Sequence, residues 1–237
     1  MLRKTASMSV TGAFLLVTLI AILFVSPKKT GAQTGNALAS PTPDTSRAFA
    51  DKAVPSVRGT KVDIWTAQQP AQNRFVSSPS GICTDPICKV GSPGFVETGY
   101  YKGMGSPVQN QLQQYVTYKN INGIPEPVWG LGNLNDNTWY TFQTLYSQTA
   151  QRWEAWRNGQ LVWYVPTPLN FTQGALVRCG AEGKPIGVQL GVEVENMRYK
   201  LTGGNTWILY NYTDTFIEGP YCVFKPAEFG AFGWGPC

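Results

Sequence analysis

Apolar and polar side chains alternate along the clearest run of this chain, which reads GVQLGVEVENM from Gly187 to Met197. In its second half, Val192 and Val194 alternate with Glu193 and Glu195. A period of two places successive side chains on opposite faces of an extended strand, whereas a helical face needs a period near 3.6. The run therefore predicts a β-strand with one apolar face against a core and one polar face.

Similar short runs, rich in β-branched and aromatic residues, recur from Lys61 onward. Clusters of Gly, Pro and Asn separate them at intervals of roughly ten residues, as in sandwiches and barrels. Within QRWEAWRNGQLVWYV, Asn158-Gly159 favours a two-residue hairpin turn, because both residues tolerate a positive φ. Many short antiparallel strands without a helical period indicate an all-β fold, and we expect a two-sheet antiparallel sandwich.

The N-terminal segment predicts export from the cytoplasm. Arg3 and Lys4 precede an apolar stretch from Val10 to Val25, and small residues follow at Thr30-Gly31-Ala32. A basic head, an apolar middle and a small-residue end are the parts of a signal peptide. The alternative is a retained signal-anchor, in which residues 10–25 contact the membrane. In both cases we expect a protein that is secreted or membrane-anchored and faces outside the cytoplasm.

The next segment, residues 33–60, is rich in Ser, Thr, Pro and Ala and contains almost no aromatic residue. Such a composition buries too little apolar surface to offset the entropy cost of ordering, which is typical of a flexible linker. The sequence therefore predicts a signal peptide or signal-anchor at 1–32, a flexible linker at 33–60 and a β-sandwich domain at 61–237.

Charge and the absence of histidine exclude several classes of function. The chain has 19 Lys and Arg against 14 Asp and Glu, and four of the basic residues lie in residues 1–32, which hold no acid. The remainder is nearly neutral and has no basic tract, which argues against a nucleic-acid partner. Without histidine, Ser-His-Asp and Cys-His catalysis and His-ligated metal sites are excluded. We expect no metal and no cofactor.

The five cysteines predict disulfides, because exported chains fold in oxidising surroundings. Cys83 and Cys88 enclose the loop CTDPIC, in which Asp-Pro favours a turn, so we expect these two to pair. A second bridge would join Cys179 to Cys222 or to Cys237. If Cys237 is the cysteine left over, it can form an intermolecular disulfide with a partner.

Two acids on one strand are candidates for catalysis. Glu193 and Glu195 are two residues apart, so their side chains point the same way at a separation of about 6.5 Å along the strand. Two carboxyl groups at such a spacing can act as nucleophile and acid in glycoside cleavage. The alternative is that both acids lie on a solvated outer face.

A family resemblance brings in a third acid. The strand FVETGY at Phe95–Tyr100 is followed by the aromatic strand Gln114–Tyr118, then by WYTF and a Trp-containing hairpin. That order resembles secreted concanavalin A-like β-sandwich domains and, more loosely, the glutamic peptidases (eqolisins), which use a Gln–Glu pair on a concave sheet. The resemblance implies that Glu97 takes the position of the catalytic Gln, with Glu193 or Glu195 as its partner. Two carboxyl groups in one site could share a proton.

The aromatic residues indicate a binding face. An exposed ring offers a flat apolar surface on which sugars stack, and neighbouring amides bond the hydroxyls. The leading interpretation is therefore an extracytoplasmic, non-catalytic recognition domain that binds polysaccharide, or another extracellular polymer, on a concave sheet. The candidate contacts on this face are Trp153, Trp156, Tyr115, Gln114 and Glu97.

Two further functions stay open at this point. One is a carboxylate-dependent hydrolase that uses Glu97 with Glu193 or Glu195 and acts on glycan or peptide. The other is a structural envelope protein that is linked to a partner through Cys237.

Overall fold

Every paired strand that the structure describes runs antiparallel to its neighbours. The computed structural model describes residues 46–66, 75–88, 94–103, 111–184, 192–219, 222–224, 229 and 231–234. These residues form fourteen strands and no helix, so the predicted all-β class is confirmed. Consequently no helix suited to crossing a membrane occurs in this part of the chain. The predicted signal peptide or signal-anchor at 1–32 and residues 33–45 of the predicted linker lie outside the described residues.

The fourteen strands are β1 Ser46–Trp65, β2 Phe75–Cys83, β3 Phe95–Gly103, β4 Gln113–Lys119, β5 Glu126–Val128, β6 Trp139–Ser147, β7 Arg152–Arg157, β8 Gln160–Tyr164, β9 Gly174–Lys184, β10 Val192–Leu201, β11 Ile208–Leu209, β12 Asp214–Glu218, β13 Cys222–Phe224 and β14 Ala231–Trp234.

The long strand β1 belongs to two sheets. Residues 46–53 pair with β9 and β12, and residues 59–65 pair with β10 and β6. The register shifts between Ala53 and Val57, where Ser56 has a φ of 59°, and the strand passes from one sheet to the other there. We call β12-β1-β9-β2-β3-β4-β5 the front sheet and β13-β14-β10-β1-β6-β7-β8, with β11 beside β10, the back sheet. The predicted two-sheet antiparallel sandwich is confirmed.

The core lies between the two sheets. Val96 and Val177 from the front sheet and Phe142 and Val194 from the back sheet are buried in one hydrophobic cluster. Burial of a side chain of this kind contributes about 2 kcal/mol to folding. Because side chains alternate along a strand, the neighbours of these residues point away from the core. Each sheet therefore has an outer face, and the two outer faces lie on opposite sides of the sandwich.

The predicted linker ends too late in the chain. The structure places residues 46–60 in β1, where Ala48 and Ala50 are buried in the core. The composition of this segment is poor in large apolar residues, but it pairs with strands more than 120 positions away, such as Ala50 with Cys179. A composition read locally does not show that a segment has strand partners on both sides. The sandwich therefore includes residues 46–60, which the sequence assigned to the linker.

The predicted hairpin is confirmed. Arg157 of β7 pairs with Gln160 of β8, which leaves Asn158 and Gly159 as the two turn residues. Their φ angles are 49° and 78°. Positive φ at both positions is what a type I′ turn requires, and it matches the twist of the flanking strands.

The cysteine prediction is right for one pair and wrong for another residue. Cys83 and Cys88 form a disulfide with their Cα atoms 5.6 Å apart. Cys222 is disulfide-bonded, but Cys179 is a free thiol, so neither predicted bridge from Cys179 exists. Cys179 points into the core, where its Sγ lies 3.3 Å from the Sδ of Met197, and burial raises its pKa to about 12. Cys237 lies outside the described residues.

Candidate functional site

Three neighbouring strands of the front sheet bring two glutamates to one outer face. Strand β2 lies between β3 and β9, and its Gly81 is opposite Glu97 on one side and Arg178 on the other. Four residues earlier, Ser77 is opposite Glu182 of β9. The flanking side chains of these strands are in the core, so Glu97 and Glu182 point outward together. We call Glu97 and Glu182 the carboxyl pair.

The first member, Glu97, holds its proton more tightly than an ordinary glutamate. Burial, and next the charge of Glu182, raise the pKa of Glu97 to about 7. The Tyr115 hydroxyl donates a hydrogen bond to Oε1 of Glu97 at 3.3 Å. Burial raises the pKa of Tyr115 well above its usual value, so this hydroxyl stays a donor. Ser77 in turn bonds to Tyr115, so Glu97 is linked through β4 to a side chain of β2.

Glycines make the room that this carboxyl needs. A Cβ on Gly81 would lie 2.7 Å from the Cβ of Glu97 and 3.4 Å from its Oε2, so the carboxyl leans over β2. A Cβ on Gly99 would lie 1.8 Å from the carbonyl oxygen of Ser78. Glycine at these two positions therefore lets the strands approach each other and keeps the space beside Glu97 free of side chains.

The second member, Glu182, has a charged partner. Nη2 of Arg47 lies 3.3 Å from Oε1 of Glu182, and Nη1 of Arg47 lies 3.0 Å from Oε2 of Glu218. Burial raises the pKa of Glu182, and the charge of Arg47 opposes that rise. Glu97 is bonded to a neutral phenol, whereas Glu182 is bonded to a guanidinium. Partners that differ in this way push apart the pKa values of two acids in one site, so that one acid is protonated while the other is ionised.

A second ion pair closes one end of the site. Arg178 donates two bonds to Asp51, from Nε to Oδ1 at 2.8 Å and from Nη2 to Oδ2 at 2.6 Å. Its third bond goes from Nη1 to the carbonyl oxygen of Cys88 at 3.1 Å, so the disulfide loop is tied to this face. The guanidinium also stacks over Phe49, 4.6 Å from the ring centre. A bidentate, buried arrangement of this type is rigid.

Aromatic rings close the other end. Trp129 packs on Tyr101 and Tyr115, with ring centres 4.5 Å and 5.6 Å apart. Tyr115 is the ring whose hydroxyl reaches Glu97, so the cluster adjoins the carboxyl pair directly. Tyr101 and Tyr115 are buried, and Trp129 is partly exposed above them.

The predicted partners of Glu97 lie on the other side of the molecule. Val192 and Val194 are buried in the core, so Glu193 and Glu195 point outward from the back sheet. Glu97 points outward from the front sheet, and the whole core separates it from them. The prediction that Glu97 acts with Glu193 or Glu195 is therefore wrong. Alternation along β10 identified the polar face correctly but did not show which sheet carries it.

Two predicted ligand contacts are core residues. Trp153 is 1% exposed, and its Nε1 donates to the carbonyl oxygen of Phe171 at 2.9 Å. Gln114 is 0% exposed, and its Nε2 donates to Oγ1 of Thr98 at 3.0 Å. Both assignments are wrong, because alternation separates the two faces of a strand without saying which one is buried.

The other two predicted contacts lie on different faces. Tyr115 is buried on the front face under Trp129, where it offers its hydroxyl rather than its ring. Trp156 is partly buried on the outer face of the back sheet, opposite Gln143. The four predicted ligand contacts therefore do not form one surface.

Glu182 and Arg47 are not among the site residues that the sequence predicts. The signal for Glu182 was present, because Val177, Cys179 and Ala181 alternate with Arg178, Gly180 and Glu182 along β9. Arg47 lay in the segment that was interpreted as a linker. Within the described ranges, no group of three or more Cys, Asp and Glu residues is arranged to hold a metal ion.

Comparisons with known proteins give similarities of fold. The sequence matches no family model and no curated protein. Scytalido-glutamic peptidase with a peptide-based transition state analog is similar in structure, with 7% identity, a TM-score of 0.49, and 81% of this chain and 97% of that chain covered. The eqolisin SCP-B with a tripeptide has 8% identity and a TM-score of 0.47, with 81% and 97% covered. The carbohydrate binding module CBM66 from Bacillus subtilis has 12% identity and a TM-score of 0.31, with 61% and 80% covered.

Proposed function

We propose that this protein is a hydrolase that cleaves an extracellular polymer with the carboxyl pair Glu97 and Glu182. The observation that carries the proposal is the placement of these two acids on one outer face with unlike partners. Groups with raised pKa values that interact with each other concentrate at functional sites. Glu97 and Glu182 satisfy this description, because burial raises both pKa values and the charge of Glu182 adds to the rise at Glu97.

The proposed roles follow from the partners of each acid. Glu182, held by Arg47, is the carboxylate that takes a proton from the attacking water as the water oxygen bonds to the substrate carbon. Glu97 is the neutral acid that gives its proton to the leaving oxygen or nitrogen as the old bond breaks. A proton then passes from Glu182 to Glu97 through solvent, which restores the starting state. General acid–base steps of this kind contribute about 10² to 10⁴ in rate.

Polysaccharide recognition without cleavage is the second candidate function. It is favoured by the ring cluster of Trp129, Tyr101 and Tyr115 directly beside Glu97. A partly exposed indole next to carboxyl and hydroxyl groups suits a sugar unit, whose C–H face stacks while its hydroxyls are bonded. If the pair is catalytic, the same rings would hold the polymer for cleavage. The predicted export signal supports a site of action outside the cytoplasm, either secreted or membrane-anchored.

Wild type, two carboxyl variants and two substrate sets separate these functions. Wild type, Glu97→Gln and Glu182→Gln are incubated below pH 7 with soluble and insoluble polysaccharides and with a denatured protein. We expect wild type to release fragments from one set, and each amide variant to lose at least about a hundredfold of that activity. Glu126→Gln, an exposed acid at the edge of the same sheet, is the matched control and should keep full activity.

Each outcome assigns a function. Cleavage of protein alone identifies a peptidase, and cleavage of glycan alone identifies a glycosidase. Retention of wild type on glycan without fragment release supports recognition instead. Activity that survives both Glu97→Gln and Glu182→Gln contradicts the carboxyl pair as the catalytic site.

A further inference from the structure

A pocket of about 250 Å³ lies on the outer face of the back sheet, on the opposite side from the carboxyl pair. Asp63, Trp139, Thr141 and Glu195 line it together with Tyr140. Its residues come from three neighbouring strands, since β1 pairs with β6 on one side and with β10 on the other. The proposed hydrolysis uses none of these residues.

We infer that this pocket binds a sugar unit of a polysaccharide. Trp139 is 38% exposed although it lies within a strand, so a large aromatic surface faces solvent. Trp65 lies directly opposite Trp139 in the strand register, with ring centres 5.6 Å apart and planes inclined by 56°. The Trp65 ring therefore packs against one side of Trp139 and leaves the rest of the indole open to solvent. An exposed indole that packs against a second ring offers an apolar platform on which a pyranose ring stacks.

The polar groups of the pocket suit sugar hydroxyls. Oδ1 of Asp63 accepts a bond from Oγ1 of Thr141 at 2.5 Å, and Oδ2 accepts one from Nδ2 of Asn196 at 2.8 Å. These bonds fix the carboxylate, but each of its oxygens keeps further acceptor capacity. Glu195 is opposite Asp63 in the register and lines the same pocket. A carboxylate held by two hydrogen bonds, with a second carboxylate and an exposed ring beside it, forms a site for hydroxyl donors.

The face continues beyond one sugar unit. Gln143 lies four residues from Trp139 on β6, about 13 Å along the strand at about 3.3 Å per residue. Trp156 of β7 is opposite Gln143 on one side, and Lys61 of β1 is opposite it on the other. A second indole, an amide and an ammonium donor therefore lie in a row across β7, β6 and β1 beyond the pocket. This length and mixture fit an extended polysaccharide chain rather than a single small ligand.

The inference depends on the proposed function only for the identity of the polymer, which is taken to be a polysaccharide. If the carboxyl pair cleaves polysaccharide, the pocket would hold the enzyme on its substrate from the opposite face. A variant that is no longer retained on insoluble polysaccharide but still cleaves a soluble oligomer is altered in the pocket. A variant that is retained but no longer cleaves the oligomer is altered in the carboxyl pair.

Retention on insoluble polysaccharides tests the pocket. Wild type, Trp139→Ala, Trp139→Tyr and Asp63→Asn are each mixed with cellulose, chitin, xylan and β-1,3-glucan, and the bound fraction is measured. We expect wild type to bind at least one polymer, and Trp139→Ala to lower its affinity at least about tenfold, which is the loss of one stacked ring. Trp139→Tyr, which keeps a ring, should bind better than Trp139→Ala, and Asp63→Asn should weaken binding without loss of the ring.

Matched controls and thermal melts complete the test. Tyr164→Ala removes another exposed ring of the back sheet outside the pocket, and Glu126→Gln alters the edge of the front sheet; both should bind as wild type does. Thermal melting curves of Trp139→Ala and Trp139→Tyr check that both variants are folded. Wild type that binds none of the four polymers overturns the inference, and so does Trp139→Ala with undiminished binding.

Discussion

Replacement of Glu97 by glutamine should make the free energy of unfolding less dependent on pH between about 4 and about 8. The pKa of Glu97 is 4.5 in an unfolded chain and about 7 in the folded protein. The folded state therefore holds this proton more tightly. The stability that results is fully present below the unfolded pKa and is lost as the pH rises through 7. The amide that replaces the carboxyl group carries no charge at any pH, so the variant lacks this loss.

The size of the effect follows from the shift. One pKa unit corresponds to about 1.4 kcal/mol, so the ceiling is about 3 kcal/mol for this group. Glu97 is partly exposed, and solvent screening reduces the measured value. We expect Glu97→Gln to gain about 1 to 2 kcal/mol relative to wild type between acid and mildly alkaline pH.

Urea unfolding followed by circular dichroism, at a series of pH values with the disulfides intact, measures this difference. The Glu126→Gln variant controls for removal of one carboxyl group from the same sheet. A difference between wild type and Glu97→Gln that stays constant with pH would refute the reasoning. A Glu97→Gln variant that loses stability relative to wild type as the pH rises would refute it as well, since the sign would be reversed.

Three further substitutions test other parts of the account by urea unfolding. Gly81→Ala places a methyl group 2.7 Å from the Cβ of Glu97, so it should cost about 1 to 3 kcal/mol and lower hydrolysis together with stability. Trp153→Ala empties a core position and should cost about 3 to 5 kcal/mol, while the refolded protein keeps its affinity for polymer. Arg178→Met leaves Asp51 buried without its guanidinium and should cost about 3 to 5 kcal/mol, whereas replacement of both partners by apolar residues should cost less. A stable Trp153→Ala variant that fails to bind polymer would restore the original assignment of that ring.

Alternation along single strands was enough to predict the fold class and several details of it. The valines of β10 are buried and its glutamates point outward, as the period of two required. The Asn158-Gly159 turn was also predictable, because its geometry depends on two adjacent residues. These features are local, so the sequence near them contains the whole signal.

The candidate site depends on pairing between distant segments, which the sequence analysis could not supply. Glu97 and Glu182 are brought to one face by β2, whose register with both neighbouring strands is set by contacts across the sheet. Arg47 reaches Glu182 only because the segment that contains it is a strand rather than a linker. For Trp153, the period separated two faces, but only the packing of the second sheet decides which face is the core.

Nuclear magnetic resonance titration of the Glu97 side-chain carboxyl, in wild type and in Glu182→Gln, tests most directly whether the two acids form one site. The account predicts a wild-type pKa of about 7 that falls when the charge of Glu182 is removed, yet stays above 4.5 because burial is the larger cause. A Glu97 carboxyl that titrates near 4.5, or whose pKa does not respond to Glu182→Gln, would contradict it.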